Sequence, residues 1–314
     1  MEIKKDFAIL LGNGITNYAS SNSGNADSNS WKNLLKKISP QKFDERILKP
    51  NTGVTYPEVF DLISRNGKKF KELKQDLTMN LENWSNTEIH NKFIRFAQEN
   101  NIPVLTTNYD TCLLDEDLVR KVRKVMREGR AQRKKYAPIY QKKHGKGFSD
   151  IYPWFSCYSD KEVIDPLNEF AIWHIHGFRY YKRSLVIGSV DYTSTIKRLK
   201  EFLYNKSDGL FKNETNWRGK NSWLDIFFNK KLYIIGLGLD SQEIDLRWLF
   251  MEREKYLREV KGLNPEELKS YTNYVYTYVK KDLPLGKKYF FDSLDITTIK
   301  RSYDDIYKDW LLTE

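Results

Sequence analysis

Four short apolar runs, each ending in glycine or polar residues, constrain the fold of this chain more than any other feature. The first, Phe7–Leu11, is continuous and leads into Gly12-Asn13-Gly14, as a buried parallel strand does when it enters a tight turn. Similar runs occur at Pro103–Thr106, Ala171–Ile175 and Leu232–Ile235. Helical patterns separate them. This alternation predicts an α/β fold with a Rossmann-like, doubly wound and largely parallel sheet.

The rest of the chain carries further helical and alternating patterns. We expect helices at Trp31–Ile38 (with Ser30 as N-cap), Tyr56–Ser64, Lys69–Leu81, Thr87–Gln98, Ile244–Met251 and Tyr303–Leu312. Strands are expected at Leu185–Ile187, Tyr274–Val279, Tyr289–Phe291 and Ile296–Ile299. The polar segment Asn17–Ser30 is expected to be a flexible loop. We divide the chain into the first part of a Rossmann-like domain (1–112), a basic helical insertion or small subdomain (113–168), and the remainder of the Rossmann-like domain (169–314).

Cysteine content and hydropathy exclude several classes of protein. Cys112 and Cys157 are too few for a disulfide framework or a four-cysteine zinc site, which favours a reducing, cytoplasmic location. No stretch reaches the roughly 18 apolar residues of a membrane span, so we expect no membrane association. The run at Phe7–Leu11 is shorter than the core of a typical signal peptide, which favours a buried strand.

The net charge of the chain resides in one segment. Of the 53 Lys and Arg residues, 12 lie between Leu118 and Gly147 with a single acidic residue, Glu128, so this stretch carries a charge equal to the +11 of the whole chain. An apolar stripe at Leu118, Val122, Val125 and Met126 predicts an amphipathic helix with basic outer faces. These faces are either simply solvated or contact nucleic acid or an acidic partner.

Polar or glycine-rich residues follow each of the four principal strands. They are Gly12-Asn13-Gly14-Ile15-Thr16, then Asn108 and Asp110, then His176-Gly177, and finally Gly236, Gly238 and Ser241. The glycines allow backbone N–H groups to approach a pyrophosphate closely. The carboxyl ends of parallel strands meet at one edge of the sheet, so the four segments together favour a shared ligand site, although each alone is also compatible with an ordinary loop.

In this order, the motifs GNGIT, TTNYD, IHG and GLGLDS resemble those of the sirtuin-like superfamily, in particular a bacterial branch of NAD hydrolases that act in antiviral defence. A later W-x-x-L-L motif (Trp31, Leu34, Leu35) strengthens the resemblance, which spans about residues 7 to 255 except for 113–168. It implies cleavage of NAD, as substrate, to nicotinamide and ADP-ribose by an effector of abortive-infection defence. It also implies a homo-oligomer controlled by a sensor or activator. Sirtuin deacylases carry a four-cysteine zinc module, so two cysteines argue against deacylation, and we predict no metal.

The resemblance also implies roles for individual residues. Asn108 would orient the nicotinamide ribose and the attacking water, and His176 would act as general base or bind the ribose hydroxyls. Asp110 would lie near the nicotinamide carboxamide. The phosphates would be held by Gly12, Asn13, Gly14 and Thr16, and the adenosine side by Gly236, Gly238 and Ser241. Because a valine would block backbone approach to phosphate, we expect Gly14→Val to weaken NAD binding more than it harms stability.

The chemistry suits these residue types. Cleavage of the nicotinamide–ribose bond builds positive charge on the sugar, and the leaving group needs no proton. A carboxamide can orient a water molecule, and a histidine can accept its proton near neutral pH. Three alternatives stay open: an ADP-ribosyl transferase or cyclase, a non-catalytic nucleotide- or nucleic-acid-binding subunit, and a metal shared by His174 and His176 in place of a structural role for His174. Cys112 fits a small buried side chain better than a nucleophile.

The basic segment generates a prediction of its own. Reversing the charge at Lys121, Lys124 and Arg127 is expected to leave the active site formed while abolishing assembly or activation, since the segment lies outside the family motifs. Light scattering, nucleic-acid binding and NAD turnover at several salt concentrations would measure this. If all three stay at wild-type values, the segment is only a solvated helix face.

Overall fold

A six-stranded sheet, parallel throughout, forms the centre of this protein. The computed structural model describes residues 6–22, 29–40, 43–49, 52–65, 69–114, 139–140, 152–279 and 282–309. The strands of the sheet are β1 (Phe7–Leu11), β2 (Val104–Thr106), β5 (Ile172–His174), β6 (Lys231–Ile235), β7 (Asn273–Tyr278) and β8 (Ile296–Arg301). Two short strands, β3 (Ile139–Tyr140) and β4 (Ser156–Cys157), pair antiparallel outside it.

Helices flank the sheet. They are α1 (Gly14–Asn22), α2 (Trp31–Ile38), α3 (Tyr56–Arg65), α4 (Phe70–Asn80), α5 (Glu88–Glu99), α6 (Ser189–Tyr204), α7 (Trp223–Asn229), α8 (Ile244–Lys255), α9 (Pro265–Leu268) and α10 (Leu285–Asp292). The predicted N-cap of α2 is confirmed, because the Ser30 hydroxyl accepts a hydrogen bond from the Asn33 N–H at 3.3 Å. In the described part of the chain, no helix combines the length and apolar character needed to cross a bilayer.

The order of the strands is β5-β2-β1-β6-β7-β8, so the predicted Rossmann-like α/β fold is confirmed. The chain builds outward from β1 through β2 to β5 and then returns to place β6 on the other side of β1. Leu10 of β1 therefore lies opposite Leu105 on one side and Ile234 on the other. The topological switch point between β1 and β6 is where α/β sheets of this order bind their ligands.

The alternating side chains of β1 supply both faces of the core. Ala8 and Leu10 pack with one apolar cluster, and Phe7, Ile9 and Leu11 with another. Because both faces are covered, the strand reads as an unbroken apolar run. A third cluster joins α2, α3 and α4 to Tyr109, Leu185 and Ile187, and so places this helical layer beside the carboxyl ends of the strands.

Three predictions about local structure are wrong. Residues 17–22 of the expected loop belong to α1, where Ile15 and Ala19 are buried and anchor a helix that is otherwise poor in apolar residues. The expected strand Tyr289–Phe291 lies in α10, since a run of three aromatic residues fits a helix as well as a strand. Leu185–Ile187 is buried but pairs with no strand in the described part of the chain; instead, the Val186 N–H donates to the carbonyl of His176.

Two other predicted segments are described only in part. The closing helix at Tyr303–Leu312 is seen as a short helical segment, Asp305–Asp309, with the remainder outside the described residues. The basic segment 118–147 also lies outside them, apart from the backbone of Ile139–Tyr140. Its predicted helix and the partners proposed for it therefore stay predictions.

The two glycine turns at the switch point pack directly against each other, which changes the expectation for Gly14→Val. The Gly14 N–H donates to the Gly236 carbonyl at 2.9 Å, and a Cβ on Gly14 would lie 2.5 Å from the Gly236 Cα. We therefore expect Gly14→Val to lower the free energy of unfolding by about 1–3 kcal/mol or more, through overpacking against backbone. Chemical denaturation would measure it.

Gly286→Ala provides the matched control for that variant. Gly286 lies in α10 with open space around the position of a Cβ, so alanine there should be neutral or stabilising by up to about 1 kcal/mol. Equal stabilities for Gly14→Val and the wild-type protein would show that the two turns can separate without cost.

Candidate functional site

Two cavities open at the carboxyl edge of the sheet. The first, called here the histidine pocket, has an empty volume of about 510 Å³ that includes space open to solvent. It is lined by residues that include Trp31, Tyr56, Thr107, Tyr109, His176, Tyr192 and Glu243. The second, called here the switch-point groove, has an empty volume of about 1430 Å³, including space open to solvent, between α1, the carboxyl ends of β6 and β7, and α10. Its walls include Gly14, Gly236 and Gly238.

One loop contributes to both cavities. The segment from β6 to α8 places Gly236, Gly238 and Asp240 in the switch-point groove. A few residues later it places Gln242 and Glu243 in the histidine pocket. The two cavities are therefore neighbours along this loop.

His176 lines the histidine pocket and is oriented by a buried carboxylate. Its Nε2 atom lies 3.0 Å from Oδ2 of Asp245, and the two residues are only 4% and 2% exposed. A carboxylate accepts hydrogen bonds, so this contact favours a proton on Nε2, and in the neutral ring Nδ1 is then the acceptor. Sequence reasoning missed Asp245, although it lies in the first turn of α8, four residues beyond Ser241.

Asn108 has a buried side chain whose polar atoms lack partners. The residue is 3% exposed, and within the described part of the chain neither its carboxamide nitrogen nor its oxygen makes a hydrogen bond. Its backbone is held firmly: the N–H donates to the Thr106 hydroxyl at 3.1 Å, and the carbonyl lies 2.7 Å from Nδ1 of His174. Because buried amides almost always find partners, this side chain is suited to meet a ligand or water.

His174 and His176 bond to different groups. Burial lowers the pKa of His174 to about 4, so its ring is neutral at physiological pH and donates from Nδ1 to Asn108. His176 instead pairs with Asp245. Among the residues that the structure describes, no group of three or more His, Cys, Asp or Glu side chains is arranged to hold a metal ion.

Asp110 and Cys112 form a buried turn after β2. One Asp110 carboxylate oxygen accepts the Cys112 N–H at 2.8 Å, while the other has no partner among the described residues. Burial raises the pKa of the Asp110 carboxyl and raises the pKa of the Cys112 thiol well above its usual value. Cys112 therefore stays a thiol, the unreactive form.

The predicted phosphate-binding residues divide into two groups. Gly14 lines the switch-point groove, and Gly12 packs beneath it with its N–H donating to the Ile235 carbonyl at 2.9 Å. The side chains of Asn13 and Thr16 point elsewhere: Asn13 Nδ2 donates to the Asn29 carbonyl at 2.7 Å, and the Thr16 hydroxyl lies 3.2 Å from Nε2 of His90. A phosphate here would meet the backbone of the first turn of α1.

The predicted adenosine-side residues all lie on the loop after β6. Gly236 and Gly238 line the switch-point groove, with Gly236 at a φ of 64° that favours glycine. Ser241 is exposed on the same loop, outside the walls of both cavities. The structure thus brings the glycines of the first and fourth motifs together in one groove.

Glu243 is a second residue that sequence reasoning missed. Burial in the histidine pocket, together with the nearby charge of Asp240, raises the pKa of this carboxyl to about 8. It is therefore largely protonated at pH 7 and titrates close to it, a property typical of functional sites. The only sequence signal was a run of polar residues after the second glycine turn.

Neither the protein-family models nor the curated proteins include a match to this chain. A functional assignment therefore depends on the residues of the two cavities and on the motif resemblance.

The raised pKa of Glu243 predicts how stability varies with pH. The folded protein keeps this proton up to about pH 8, whereas the unfolded chain loses it near 4.5. Stability should therefore fall as pH rises through this window, by at most about 1.4 kcal/mol per pH unit for one proton. Glu243→Gln should flatten the slope in denaturant titrations from pH 5 to pH 8, and Glu266→Gln, at an exposed position, should not. Parallel slopes for all three proteins would contradict the assignment.

Proposed function

We propose that this protein binds NAD across the switch-point groove and the histidine pocket and hydrolyses the nicotinamide–ribose bond. The observation that carries the proposal is the buried, unpartnered carboxamide of Asn108. Asn108 is not itself a lining residue of the histidine pocket, but its chain neighbours Thr107 and Tyr109 line that pocket together with His176. A polar group that is buried without a partner lowers stability by about 1–3 kcal/mol, so its presence here favours a role in binding or catalysis.

The shape of the site suits a dinucleotide. The switch-point groove is large enough for the adenosine half, and the first turn of α1, which begins at Gly14, presents backbone N–H groups beside the groove, where the pyrophosphate would lie. The loop from Gly236 to Glu243 then leads to the smaller, aromatic histidine pocket. The nicotinamide ribose would occupy this pocket.

The side chains in and next to the histidine pocket suit hydrolysis. Asn108 would hold a water molecule or a ribose hydroxyl as positive charge develops on the sugar. The water oxygen bonds to C1′ of the ribose, the electron pair of the C1′–N bond leaves with neutral nicotinamide, and Nδ1 of His176 accepts the proton of the water. Asp245 is a positioning residue, because it holds the imidazole in the tautomer that can accept this proton.

The biological role follows from the resemblance alone. We propose membership of the sirtuin-like family and a role as an effector of anti-phage abortive infection. Continuous NAD hydrolysis would be toxic, so we also propose control by self-assembly or by an activator.

Asn108→Ala is expected to lower NAD turnover by about a hundredfold or more while the protein stays folded, since the variant removes an oriented polar group and little apolar packing. Chromatography of nicotinamide and ADP-ribose would measure the loss. Asn83→Ala, at an exposed position, is the matched control and should keep full turnover. Normal turnover by Asn108→Ala would exclude the assigned role, and a cyclic or protein-linked ADP-ribose product would show a cyclase or transferase.

A further inference from the structure

A third cavity lies on another part of the surface, between α4 and the loop that follows His176. This basic groove has an empty volume of about 1600 Å³, including space open to solvent, and is lined by Phe70, Lys71, Lys74, Tyr180, Tyr181, Lys182 and Arg183. Four of these residues are basic, three are aromatic and none is acidic. The composition differs from that of both cavities at the edge of the sheet.

Three of the four cations are available to a ligand. Lys74 is buried and committed, because its Nζ atom lies 2.8 Å from both the Asp191 carboxylate and the Leu185 carbonyl. Lys71, Lys182 and Arg183 make no ion pair with any carboxylate of the described residues. Counting only the residues that the structure describes, the groove therefore carries a positive charge that no ion pair compensates.

The aromatic side chains of the groove are held in place and only partly covered. Tyr180 and Tyr181 are each partly exposed. The Arg179 guanidinium lies 4.7 Å from the centre of the Tyr180 ring, and the Tyr181 ring lies 4.9 Å from that of Tyr152. Arg179 is itself anchored by Glu82 at 3.0 Å. Fixed, partly exposed rings beside free cations combine stacking surfaces with phosphate partners.

We propose that the basic groove binds single-stranded nucleic acid. Lys71, Lys182 and Arg183 contact successive phosphates, and unpaired bases stack on the tyrosines. An acidic peptide would use the cations but not the rings, and a duplex would hide its bases from them. The single strand is the occupant that uses both.

The wall of the groove is directly connected to His176. The loop from Gly177 to Val186 is tied at its base, where the Val186 N–H donates to the His176 carbonyl at 2.9 Å. Inside the loop, the Ser184 hydroxyl accepts the Phe178 N–H at 3.0 Å and donates to the Tyr181 carbonyl at 2.6 Å. A nucleic-acid strand bound in the groove thus contacts the same short loop that holds His176. If the bound nucleic acid controls NAD turnover through this loop, that control rests on the proposed function. Binding of the nucleic acid in the groove does not depend on the proposed function.

The test compares two triple variants of the full-length protein. The groove variant carries Lys71→Gln, Lys182→Gln and Arg183→Gln. The control carries Lys197→Gln, Lys200→Gln and Lys206→Gln, which remove the same charge from exposed positions on and just after α6. Fluorescence anisotropy measures binding of labelled mixed-sequence DNA and RNA single strands of about 20 nucleotides, and of the matching duplex, over a range of salt concentrations.

The groove variant should bind single strands at least tenfold more weakly at low salt, with a slope of log affinity against log salt that is smaller by about 2. The control should keep most of the affinity. A further variant, Tyr180→Ala, should lose about fivefold or more in affinity with little change in slope. Wild-type binding by the groove variant, equal affinity for the duplex, or no binding by the wild-type protein would each overturn the proposal.

NAD turnover without nucleic acid separates the two proposals. The groove variant should keep the basal rate, because its substituted residues lie outside the two cavities proposed for NAD. A wild-type protein that binds single strands through the groove but leaves NAD intact would contradict the proposed function and leave the groove assignment standing.

Discussion

The contact between the two glycine turns at the switch point is the constraint on which the rest of the site depends. Gly14 donates to the Gly236 carbonyl, and Gly12 lies with its Cβ position 2.5 Å from the Gly236 oxygen, so neither turn has room for a side chain. This close approach sets the separation of β1 and β6 at their carboxyl ends. It also leaves an open groove above the turns, with the first turn of α1 beside it.

The site also depends on polar groups that are buried beside the sheet, some with hydrogen-bond partners and some without. His174 is neutral and bonds to the backbone of Asn108, and His176 bonds to Asp245, so both rings are fixed. The carboxamide of Asn108 and one oxygen of Asp110 have no partner among the described residues. In a low-dielectric interior a satisfied network is rigid and an unsatisfied group is costly. Histidine rings held in fixed positions, next to polar groups that lack hydrogen-bond partners, are suited to the preorganised binding of a polar ligand.

Much of the fold can be predicted from local patterns. A strand buried on both faces must be apolar at every position, which made β1 and β6 recognisable, and a glycine turn is a signature confined to a few residues. The wrong assignments arose where a pattern was too short to decide. Three consecutive aromatic residues at 289–291 are compatible with the periodicity of a helix or of a strand. Helix α1 contains only a few apolar residues, and their burial depends on neighbouring helices.

The sequence by itself determined the α/β class and the residues that follow the strands, and parallel strands with buried faces then gather those residues at one edge of the sheet. Only the tertiary structure decided what each side chain contacts. His176 contacts Asp245, which is 69 residues away in the sequence, beside a pocket. Thr16 contacts His90, which is 74 residues away, between two helices. Such contacts depend on how helices pack on the sheet, through many weak interactions that no single segment of sequence encodes.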